Sequence, residues 1–207
     1  MHRRLLLLCL ALGGCTCEGA APPLQSTPHP VGQPGPPGGR ASSVLPRTPA
    51  DHPQVKRARQ VVDQLRAGLK GALMEAMRRG PEAAVEVCAS RAQKITRTLD
   101  RDGLAIGRTS SAVRNPVNAP RAWVKPVLED YLRRPAGPTY RTVDLGQGKM
   151  GYVEPIYTSR LCLTCHGPTV TASVTQHIRQ HYPEDRATGF SAGDLRGVFW
   201  VEVPPVR

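Results

Sequence analysis

The chain has 207 residues, 28 Lys and Arg against 16 Asp and Glu, a formal net charge of +12 and only 4% aromatic residues. A leader and a Pro-rich stretch occupy its start, so what remains is one domain's worth of chain with a small aliphatic core, to which a buried cofactor would add apolar bulk. The basic residues are scattered along helical faces (Lys56, Arg57, Arg59, Arg66, Lys70, Arg78, Arg79) with no aromatics between them, which argues against nucleic acid as a partner and for a solvated basic surface meeting anionic lipid or an acidic redox protein.

At the N-terminus, Met1-His2-Arg3-Arg4 is a short positive segment, Leu5 to Leu12 an apolar one, and Leu12-Gly13-Gly14-Cys15 places two small residues before a cysteine. The pattern resembles a bacterial lipobox, which implies a signal peptide over 1–14 and a lipid anchor on Cys15. The apolar run is far shorter than the roughly 20 residues needed to span a bilayer. Loss of Arg3 and Arg4 with the leader takes the charge from +12 to +10, so the mature chain stays basic. Thr16, not an acidic residue, follows Cys15, which by resemblance to sorting rules points to the outer membrane, with the protein exported and facing the periplasm. From Glu18 to Pro53 lie ten of the 21 prolines, with Gly38-Gly39 and Pro36-Pro37. Residues 15–53 are thus expected to be a tether reaching on the order of 100 Å at about 3.1 Å per residue, and 54–207 the folded domain.

Val55, Ala58, Val62, Leu65, Leu69, Leu73 and Met77 recur at helical spacing and predict a long amphipathic helix. Gly80 suits its end, and Pro81 opens a second helix with the stripe Ala84, Cys88, Ala92, Ile95 and Leu99, stopped by Asp102-Gly103. This phase turns Cys88 inward. Prolines at 116, 120, 126, 135 and 138 then break the chain around a short helix near Val127 to Leu132. Strands are expected at Tyr140 to Leu145, Gly151 to Tyr157 and Gly197 to Val203, with a hairpin turn at Gly146-Gln147-Gly148 and one more helix at Thr171 to His181. N-terminal helices followed by an antiparallel sheet make an α+β domain.

Cys162-Leu163-Thr164-Cys165-His166 carries the chemistry. Covalent haem attachment needs two thiols a short turn apart, one for each porphyrin vinyl group, and an adjacent imidazole for the iron, and Cys-x-x-Cys-His supplies all three. Two other readings compete. A thioredoxin-like pair would start a helix within a βαβ unit, whereas a loop is expected here, and a structural zinc site would need a fourth ligand, for which His177 and His181 are candidates. No methionine follows His166, so a Met ligand to the iron would come from Met74, Met77 or Met150 upstream. Cys88, Met150 and His177 all stay open as the second axial ligand.

The chain resembles a family of bacterial c-type haem proteins with a PAS-like fold. The resemblance runs roughly from Val55 to Val203. It rests on Gly80-Pro81 with Cys88; Gly107-Arg108-Thr109-Ser110; Arg114-Asn115-Pro116 with Asn118, Pro120 and Trp123; Tyr152 to Ile156; the haem motif with Gly167; Tyr182-Pro183 with Asp185, Ala187 and Gly189; and Gly193-Asp194-Leu195-Arg196-Gly197. It implies a PAS-like antiparallel sheet with added N-terminal helices, haem c held by Cys162, Cys165 and His166, and an axial thiolate from Cys88. Family members commonly carry an acid after the tryptophan, where this chain has Val124. A His/Cys pair stabilises ferric iron and lowers the potential, and its thiolate is readily lost on reduction, which opens a position for a small ligand. The expected function is a redox or small-gas sensor, not an enzyme, with a low-potential electron-transfer protein as the alternative. No output domain is recognised in the chain, so a signal would pass to a separate redox or signalling protein.

Overall fold

A computed structural model describes residues 48–134 and 137–206. The expected signal peptide, the Cys15 anchor and the tether as far as residue 47 lie outside the described residues. The last residues assigned to the tether are held by the domain: Thr48 N donates to Thr142 Oγ1 at 3.2 Å and Tyr140 OH donates to Thr48 O at 2.7 Å.

Helix α1 spans Pro53–Met77, with His52 capping it by accepting from Gln54 N at 3.3 Å and proline at its first position, where no N–H is needed. Its buried face follows the expected stripe through Leu65 and then shifts to Ala72 and Ala76 in place of Leu73 and Met77. Small residues are buried there because α2, Pro81–Ser90, folds back against α1. The single helix expected after Gly80 is two: α2 ends at Arg91, and α3 runs Ala92–Leu99.

Strand β1, Ala105–Thr109, was not expected from the sequence. A 3-10 turn at Pro116–Asn118 and helix α4, Lys125–Arg133, follow. Next come β2, Arg141–Asp144, and β3, Met150–Tyr157, joined by a turn in which Gly146, Gln147 and Gly148 all have positive φ. Helix α5, Leu163–His166, is a single turn; α6, Ala172–His181, and β4, Leu195–Val203, complete the domain.

The four strands are antiparallel in the order β1-β4-β3-β2, which gives the expected α+β class. Alternation along the strands builds two cores. One face (Ile106, Tyr152, Phe199, Val201, Val203) packs on Val55, Val62 and Leu65 of α1, and the other (Val153, Val198, Trp200) packs on Val124, Leu128 and Tyr131 at α4. Val124 is wholly buried in this second core, where a carboxylate would be unpartnered by water. Close approach explains two glycines: a Cβ on Gly107 would stand 2.4 Å from the Trp200 ring, and one on Gly151 2.7 Å from that of Trp123.

A third, smaller cluster lies where α2 meets α6. Val85, Val174, Ile178 and Tyr182 are buried there, and Ala89, Cys165 and Val170 pack against them. This cluster joins the helix carrying Cys88 to the turn carrying the Cys-x-x-Cys-His motif.

Candidate functional site

The motif begins where β3 ends. Thr158 N donates to Asp194 O and Gly193 N to Thr158 O, both at 2.8 Å, which clasps the start of the motif to the loop before β4. Arg160–Cys162 forms a 3-10 turn, and Ser159 places N and Oγ 3.4 and 3.2 Å from Cys162 Sγ. Cys162 then stands at the N-terminus of α5, with Cys165 and His166 one turn on, so the expected loop is a short helix. It ends at Gly167, whose N donates to Leu163 O at 2.9 Å; a Cβ there would lie 2.6 Å from that same oxygen. Glycine is required by this close approach.

A loop before β4 holds the turn in place. Phe190 N donates to His166 O at 2.9 Å, and Gly189 N to Gly167 O at 3.0 Å. His166 Nδ1 lies 2.6 Å from Ala187 O. A carbonyl can only accept, so Nδ1 carries the proton and Nε2 keeps its lone pair, the arrangement that suits a metal ligand. Arg114 locks this loop to the motif: its Nε and Nη2 donate to Asp185 Oδ1 and Oδ2 at 3.0 and 3.2 Å, and Nη2 also donates to Cys165 O at 2.6 Å and Ala187 O at 3.3 Å. Asp185 Oδ1 accepts in turn from Ala187 N at 3.0 Å.

Cys88 comes to the site from α2, which packs on both α5 and α6. It is near enough to Cys165 and to Tyr182 to act on each electrostatically. Cys88, Cys162 and Cys165 are all half-buried and free, so three thiols reach one region from two elements without a disulfide between them. Burial pushes the Cys165 thiol up, against the pull of Arg114. Burial, followed by Arg196 and Arg114, drives His166 down to about 3, so the imidazole is neutral at physiological pH and its free nitrogen is available as a donor.

The other ligand candidates are placed elsewhere. Met150 is buried in the core against α1, Met74 is exposed on α1, His177 directs Nδ1 to Ser173 O at 3.0 Å, and His181 is exposed. Among the described residues no group of three or more His, Cys, Asp or Glu side chains is placed to hold a metal ion, which leaves the zinc reading without a ligand set. The thioredoxin-like reading lacks its βαβ unit, since the motif lies between antiparallel neighbours β3 and β4.

Sequence reasoning assigned no role to three arginines at this site. Arg108, Arg114 and Arg196 all depress His166 electrostatically. They come from β1, the segment after it and β4, and in the sequence they are visible only as members of the matching motifs. Arg196 is the extra residue of a β-bulge, where Ile156 pairs with Gly197 and Tyr157 with Leu195.

The sequence family described as Tll0287-like matches residues 42–204. Among solved structures, that of the cyanobacterial heme-protein Tll0287 is similar, with a TM-score of 0.59, 25% sequence identity and coverage of 76% of this chain and 99% of the other. No curated protein sequence matches.

Proposed function

The chain belongs to the Tll0287-like family, and from that premise we propose that it is an exported c-type haem protein, tethered to the membrane through Cys15, acting as a redox or small-gas sensor and not as an enzyme. The similar solved structure is that of a heme-protein. Cys162 and Cys165 would hold haem as thioethers, with His166 and Cys88 as the ligands to its iron. When bound, the haem supplies a one-electron centre, and an imidazole/thiolate pair sets it at low potential.

The residues present fit that group. The thiols of Cys162 and Cys165 stand one helical turn apart and are half-exposed, so both can be alkylated from the same side. His166 is fixed in the tautomer that frees Nε2. Arg196 Nε is buried without a hydrogen-bond partner, as expected of a cation placed to meet an anionic group. Ala187 O orients the imidazole, Arg114 and Asp185 hold Ala187, and α2 presents Cys88 beside Cys165. The observation that carries the reading is the approach of Cys88 on α2 to Cys165 of the motif across the α2–α5 contact, one residue before the oriented His166.

The test is the visible spectrum of the full chain expressed with a haem-maturation system. A haem spectrum that survives acid-acetone extraction is expected, because thioethers hold the group; haem that extracts, or no haem, overturns the reading. Cys88→Ser should keep the covalent haem while the ferric spectrum moves from low-spin toward high-spin and the potential rises, since a hydroxyl donates less charge than a thiolate. An unchanged spectrum would exclude Cys88 as ligand. Binding of carbon monoxide or nitric oxide by the reduced protein supports the sensor, whereas fast electron exchange without ligand binding assigns an electron carrier.

A further inference from the structure

The arginines around His166 are under-compensated. Asp185 is the acid that acts on Arg196, and it is already bidentate to Arg114. Arg108 is half-buried on β1, and its guanidinium takes no hydrogen-bond or ion-pair partner among the described residues. Arg196 lies over the Phe190 ring at 5.1 Å and donates Nη1 to Ala112 O at 3.3 Å, which leaves the buried Nε unpaired. Burial, then Arg114 and Arg108, brings Arg196 down to about 10. Like charges gathered in a partly buried site are costly unless an anion joins them, and two guanidiniums remain after Arg114 is matched.

We propose that Arg108 and Arg196 bind the two propionate carboxylates of the haem, forming the anionic-edge clamp of a site whose opposite duties fall to Cys162, Cys165 and His166. The inference rests on the haem reading above. A guanidinium matches a carboxylate with paired donors, and its charge stays fixed at any working pH. Two cations beside two carboxylates also make the site neutral at that edge, so the iron feels less negative charge than bare propionates would impose. Removing either arginine stabilises the ferric state and lowers the potential.

The experiment compares the parent with Arg108→Gln and Arg196→Gln, each as the full haem-loaded chain, reading haem stain after denaturing electrophoresis, the propionate-bending band of the resonance Raman spectrum and the midpoint potential. Both variants should keep the stain, shift the propionate band and lower the potential. Arg108→Lys and Arg196→Lys should shift the band while holding the potential nearer the parent's, and they carry the same readout if a Gln variant fails to fold. A lowered potential with an unmoved propionate band would mean that the charge acts only through space, and would overturn the clamp. Phosphate that shifts the parent's potential but not that of the Gln variants would assign the arginines to a free anion and would overturn the clamp equally. A parent without stained haem sinks the functional reading itself, which separates the two failures.

Discussion

Ala187 contributes no reactive group, yet its carbonyl decides which nitrogen of His166 is free. That carbonyl is positioned by Asp185 and Arg114, whose side chains are 9% and 12% exposed, so the site depends on a buried ion pair that also bonds three backbone groups. Removing one member strands the other as an uncompensated charge, which costs roughly 3–5 kcal/mol. Asp185→Ala should therefore lower stability by about that much in urea unfolding and blur the ligation of His166, seen as a mixed-spin ferric spectrum in the haem-loaded protein. Glu75→Ala removes an ion pair to Arg91 at 3.2 Å whose partners are each about half exposed, and should cost less than about 1 kcal/mol. Equal losses in the two variants would show that burial of the Asp185 pair adds nothing.

At the scale of elements, Glu202 of β4 ties three segments together. Its carboxylate accepts from Trp123 Nε1 at 2.9 Å and Arg121 Nη1 at 2.6 Å, with Lys149 Nζ 3.6 Å away. Burial alone would raise its pKa, but the Trp123 bond and Arg121 outweigh it, and the group is held below its ordinary 4.5. A depressed folded-state value means that its contribution is fully present above pH 4.5 and is lost as pH falls through the folded pKa. Glu202→Gln should flatten the stability profile in that acid window and leave the slope near neutrality unchanged; an identical acid slope in the variant would remove Glu202 from the account. Apart from the single turn α5, which was expected as loop, the helices and three of the strands were legible because apolar residues repeat at periods of 3.6 and 2. Strand β1 was not, because Gly107 and Arg108 interrupt its apolar pattern, and only the Trp200 ring lying against Gly107 explains that glycine. The break at Arg91 was equally hidden, since the stripe from Ala84 to Leu99 keeps its phase across it. The thiols and imidazole of the site could be named from local spacing. The arginines could not, since β1 and β4 lie far apart in the chain and meet only when the sheet pairs.

At the scale of the whole molecule, two physical routes to a membrane compete: the proposed acyl anchor on Cys15 and the attraction to anionic lipid of a basic chain, whose net charge of +12 becomes +10 once Arg3 and Arg4 leave with the leader. Among the described residues no helix is long and apolar enough to cross a bilayer. The two routes differ in their response to salt. Acyl chains are held by apolar burial, worth about 0.8 kcal/mol per methylene and indifferent to ionic strength, whereas the attraction of exposed arginines and lysines is screened beyond about 10 Å at 0.1 M. The parent should therefore stay in the membrane fraction through a high-salt wash, and Cys15→Ala should appear in the soluble fraction at low salt, with its haem stain intact because the domain is unaltered. If Cys15→Ala instead remains with the membrane at low salt and is released only by high salt, the basic surface is the anchor and the lipid assignment fails.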